Sequence, residues 1–75
     1  MNTRQGLLLD VTYHGSIVSL TIETDEGTAT YFGELRLTNQ ALSAMGLQGP
    51  DDLPARVSFT ADGADILYIG LEMEA

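Results

Sequence analysis

The chain has 75 residues, no cysteine and no lysine, and its eleven Asp and Glu face only Arg4, Arg36 and Arg56, for a formal charge of −8. Disulfides and thiolate metal sites are excluded, and phosphate backbones and anionic membranes are poor direct partners because both need cationic patches. A domain this short buries only about 60 to 65% of its unfolded surface, so self-association is one of the few staples left to it.

Leu7 to Tyr13 alternates Leu7, Leu9, Val11 and Tyr13 with Leu8, Asp10 and Thr12, the pattern of a half-buried strand. His14-Gly15 is the expected turn, followed by a second strand, Ser16 to Thr24, with Val18, Leu20 and Ile22 on one face. In that register Val11, Leu9 and Leu7 fall opposite Val18, Leu20 and Ile22, and the apolar faces coincide. A Glu26-Gly27 loop then sets Ile22 opposite Tyr31 and Val18 opposite Leu35, continuing the face through Gly33 and Leu37. A three-residue loop with Gly27 as a bulge would align Leu20 with Phe32 instead.

At Thr38 the period changes. Thr38 is the expected N-cap of a helix of roughly two turns carrying Ala41, Leu42 and Met45, with Gly46 as its left-handed end. Leu42 and Leu47 then occupy the positions whose contact accompanies a Schellman ending. Gln48 to Pro54 reads as a stiff connector. Arg56 to Ala61 is a fourth strand with Val57 and Phe59 inward, and Asp62-Gly63 is a strong hairpin signal. A two-residue loop there sets Val57 and Phe59 opposite Tyr68 and Ile66, whereas a three-residue loop sets Val57 opposite Leu67. From Ile66 to Met73 the apolar residues do not alternate, which predicts a strand covered on both faces by barrel closure or by a partner. The expected fold is α+β in one domain, residues 1–75: a three-stranded antiparallel meander, one short helix, then a C-terminal β-hairpin that joins a single sheet or closes a small barrel.

No catalytic, cofactor or metal residues are expected. His14 is the lone histidine and sits in a predicted turn, and Ser16, Ser19, Ser43 and Ser58 lack a histidine in a nucleophile context. Asp51, Asp52, Asp62 and Asp65 lack the spacing and closing glutamate of a calcium loop. Leu37 to Leu47 resembles the first helix of a helix-turn-helix reader, but Gly49, Pro50 and Pro54 fall where the recognition helix should lie. The chain is therefore expected not to be an enzyme.

Surfaces remain. Leu8, Ile17, Phe32, Ile66 or Leu67, and Tyr68 do not all fit under one helix, so an apolar patch is expected to meet another chain. In size, charge and lack of catalytic groups the chain is similar to the small acidic inhibitors encoded by phages and mobile elements, including anti-CRISPR proteins. That resemblance implies that Asp25, Glu26, Asp51, Asp52, Asp62 and Asp65 compete for the basic nucleic-acid groove of a protein partner, with Phe32 and Tyr68 as apolar anchors. No direct nucleic-acid or membrane contact is expected. The alternative is an assembly subunit, a homodimer or ring paired through an apolar sheet face or edge. No apolar leader follows Met1 to Gln5, so a cytoplasmic location is expected.

Overall fold

A computed structural model describes residues 3–47 and 49–71; Glu72 and Met73, the end of the last apolar stretch, lie outside the described residues. The elements are β1 (Arg4–His14), β2 (Ile17–Thr24), β3 (Gly27–Glu34), α1 (Leu35–Ala44), a 3-10 turn (Pro50–Asp52), β4 (Ala55–Asp62) and β5 (Asp65–Leu71). The fold is thus sheet-rich with one helix, and of the two closures expected for the last hairpin it takes the barrel, in the order β1-β2-β3-β5-β4 and back to β1. β1 serves both sides of the barrel, pairing with β4 through Arg4–Leu8 and with β2 through Leu7–His14. A register shift between Leu8 and Asp10 bends it to do so, as a bulge adds local twist. β3 meets β5 in parallel at a single pair, Phe32 and Asp65, reinforced by the Phe32 N–H donating to the Ala64 carbonyl at 2.7 Å.

All three hairpin registers differ from the sequence expectation, and glycine explains two of them. The turns are Gly15-Ser16 and Gly63-Ala64, with glycine first at φ +67° and +59°. A two-residue loop with glycine first belongs to the II′ type, whereas the sequence reading placed glycine second. His14 therefore pairs with Ile17, Val11 with Leu20, and, past the bulge, Leu8 with Ile22. The middle turn is Asp25-Glu26, with Thr24 opposite Gly27, Leu20 opposite Tyr31 and Val18 opposite Gly33. That register lies two residues from the first expectation and one from the second. An even slip preserves the faces, so Tyr31 and Gly33 still point inward while Leu35 and Leu37 pass into the helix. In the last hairpin Phe59 faces Ile69 and Val57 faces Leu71, and a bulge at Leu67 leaves Tyr68 opposite Thr60.

The helix begins earlier than its period suggested. Glu34, not Thr38, is the N-cap (φ −72°, ψ 136°), and its carboxylate accepts from the Arg36 and Leu37 N–H groups at 3.0 and 3.3 Å. Thr38 is buried within the first turn. Replacing Glu34 with Ala should cost about 1 kcal/mol of unfolding free energy, read from the urea midpoint at unchanged slope; an unshifted midpoint would show that the cap contributes nothing. At the other end Gly46 (φ +79°) follows the C-cap Met45. Leu47 N–H donates to the Leu42 carbonyl at 2.9 Å and Gly46 N–H to the Ser43 carbonyl at 3.0 Å, the paired bonds of a Schellman ending.

Leu8, Val18, Leu20, Ile22, Tyr31, Val57, Phe59 and Ile69 fill the barrel, with Leu42 of α1 joining them. Beside this core sits Arg4, the direct partner of Phe59 across β1 and β4. Its guanidinium lies 5.5 Å from the Phe59 ring centroid, donates to the Tyr31 hydroxyl at 3.0 Å and reaches Glu26 at 3.7 Å. Tyr31 and Phe59 are tilted with centroids 5.1 Å apart. One of the chain's three cations is thereby occupied in closing the aromatic end of the core.

Candidate binding face

Opposed residues on adjacent strands share a face, so the pairings read directly across the barrel wall. Thr12 opposes Ser19, Ser19 opposes Phe32, Phe32 opposes Asp65, and Asp65 opposes Asp62. This row runs over all five strands on the outside, and Phe32 stands in it 42% exposed. The row towards the β1–β2 turn is His14, Ile17 and Glu34; the row on the other side is Asp10, Thr21 and Thr30. The ionisable groups in these rows are four carboxylates and one histidine. None of the three arginines belongs to them.

The six expected acids are exposed but do not form one patch. Asp62 and Asp65 flank the β4–β5 turn beside Phe32. Asp25 and Glu26 form the β2–β3 turn, where Glu26 is held by Arg4. Asp51 and Asp52 lie in the 3-10 turn, where an Asp52 carboxylate oxygen accepts from the Gly49 N–H at 3.3 Å. Tyr68, 60% exposed, borders a groove of about 490 Å³ between α1 and β5 that is also lined by Leu37, Ala41, Met45 and Leu67. The two expected anchors, Phe32 and Tyr68, therefore serve different surfaces.

By period Ile17 and Ser19 already shared the outward face; the observed register is what sets Ser19 opposite Phe32 and Ile17 opposite Glu34. His14 ends β1 and is not in the turn; its Nε2 lies 3.0 Å from the Ser19 Oγ, and that hydroxyl donates to the Thr12 carbonyl at 3.4 Å. Among the described residues no group of three or more His, Asp or Glu could hold a metal ion. No helix among the described residues is long and apolar enough to cross a membrane.

The site is thus carried by a closed five-stranded barrel with a helix between β3 and β4. Fold alone does not assign a ligand. Comparison with protein-family models, curated proteins and solved structures found no match.

Proposed function

We propose that the chain is a non-catalytic module that binds a protein with a basic surface, in the manner of an inhibitor occupying a nucleic-acid groove. The observation that carries this reading is the outer row in which exposed Phe32 has Ser19 on one side and Asp65, then Asp62, on the other, between rows that add Glu34 and Asp10 and no arginine. An aromatic anchor with carboxylates to one side of it matches a cationic groove with an apolar floor, and it repels phosphate. Asp25, Glu26, Asp51 and Asp52 then contribute through the long-range field. The test is affinity capture from the source cells with the wild type, Phe32→Ala and Asp62→Asn/Asp65→Asn. Each variant should retain about tenfold less of a basic protein that salt releases from the wild type; equal retention by folded variants would reject the face.

A second reading, a symmetric dimer, is favoured by the groove between α1 and β5. Leu37, Leu67 and Tyr68 are 66, 53 and 60% exposed there, and no charged residue among those described lines it, so two anionic copies meet least repulsion at that site. A salt-resistant dimer abolished by Tyr68→Asp would select it.

A further inference from the structure

β1 outruns its partner β4. Its ladder to β4 ends with Leu8 opposite Ala55, while its ladder to β2 continues to His14. The turn between β1 and β2 has two residues, so the closing pair His14 and Ile17 is hydrogen-bonded and the pairs alternate from there. Thr12 and Ser19 are bonded in turn, and Tyr13 and Val11 fall at the positions between. Their N–H and C=O groups consequently point away from β2, to the side that β4 has vacated. Among the described residues no backbone or side-chain group bonds to them there. Buried or half-covered strand edges are normally paired or blocked by lysine, proline or a covering element.

What lies alongside that edge is a cavity of about 530 Å³. Val11, Leu42, Leu47 and Leu53 give it an apolar lining, while Asp10, Tyr13, Asn39 and Ser43 supply polar groups. Among the described residues the one charged member of the lining is Asp10, an exposed carboxylate whose hydrogen bond comes from the neighbouring Thr12 hydroxyl at 3.2 Å. The Tyr13 hydroxyl donates to Asn39 Oδ1 at 3.5 Å, across the space between β1 and α1.

We propose that the free edge of β1 from Asp10 to His14 accepts an extended segment of a partner protein as an added strand, with a lysine or arginine of that segment inserted into the adjoining cavity. Added strands gain affinity from main-chain bonds and specificity from pockets for alternate side chains. Here Val11 and Tyr13 offer the main-chain groups. The cavity takes a long aliphatic stem against Val11, Leu42, Leu47 and Leu53, with a cationic head at the Asp10 carboxylate and the Asn39 amide oxygen. A glutamate in the same place would face Asp10 with like charge. The choice of a cationic segment rests on the reading of the partner as basic; Val11, Tyr13 and Asn39 lie outside the Phe32 rows, whereas Asp10 belongs to both surfaces, so the edge is tested at Val11 and Asn39.

The probe is a capped heptapeptide, Thr-Val-Lys-Val-Lys-Val-Thr, titrated into the full isotope-labelled chain, with a Glu-for-Lys peptide as control. The expected result is saturable shifts and slowed exchange of the Val11 and Tyr13 amides, with the lysine peptide about tenfold tighter than the glutamate peptide. Val11→Pro removes an N–H that β2 does not use and is tolerated at an edge; it should abolish the effect while the rest of the spectrum persists. If that variant unfolds, Asn39→Lys, at an exposed position in the cavity lining and outside the Phe32 rows, serves instead and should weaken the lysine peptide about fivefold or more. Shifts confined to the Phe32 row or to the α1–β5 groove, equal affinity for both peptides, or β1 amides already protected in a dimer would each overturn the proposal. The Phe32 and Asp62/Asp65 variants should bind the peptide normally, so failure of the edge and failure of the outer face give different results.

Discussion

Phe59→Ala should remove a large part of the chain's stability and lower its unfolding midpoint. Phe59 is fully buried and contacts both the Tyr31 ring and the Arg4 guanidinium. Removing a buried phenylalanine ring typically costs about 3–5 kcal/mol, and a chain of this length has only about 4–11 kcal/mol in total. The loss also strips Arg4 of the face it lies over, worth about 0.5–1 kcal/mol at a partly exposed site. Thermal melts and urea titrations should place the midpoint at least about 12 °C below the wild type. Phe32→Ala, at an exposed position, is the internal control and should shift stability by no more than about 0.5 kcal/mol. If the two variants melted together, Phe59 would not be the keystone of the core.

Gly33→Ala should be the most damaging change that adds a single methyl to the β3 end of the barrel. Gly33 lies opposite Val18 and under α1, and a Cβ built on it would run into the Thr38 hydroxyl, with the Thr38 Cβ at 3.5 Å. Overpacking of this kind costs about 1–3 kcal/mol. The clash is with one side-chain atom, so the remedy is specific. Thr38→Ala in the same chain should recover most of the lost stability, whereas Thr38→Val, which keeps a methyl in place of the hydroxyl, should not. A double-mutant cycle on urea midpoints measures this coupling; additive effects would mean that the helix slides away from β3 instead of pressing upon it.

The sequence disclosed faces better than partners. Val18, Leu20, Ile22, Tyr31, Val57 and Phe59 were legible as inward because a period of two survives a slip of two residues, and the β2–β3 register slipped by that amount. The turns were less legible. Gly15 and Gly63 each fit either loop position by composition, and only the backbone hand that closes the hairpin decides between them. The helix ending at Gly46 was readable because its signal is local, while its beginning was not, since Glu34 displaced a better-ranked capping residue four positions later. Barrel closure depends on Phe32 meeting Asp65 across 33 positions of chain, which no local pattern encodes. The candidate face inherits these limits: each acid was recognisable as exposed, yet which of them stand beside Phe32 followed from strand order alone.

The narrow seam between β3 and β5 has a consequence for any ligand of the outer face. Among the described residues one opposed pair and the bond from Phe32 to Ala64 hold those strands side by side, so the wall is most easily parted there. Phe32 and Asp65 stand on opposite lips of that gap. A molecule gripping both would act as a clasp, and the tightness with which it is held would rise and fall with the integrity of the closed wall beneath it.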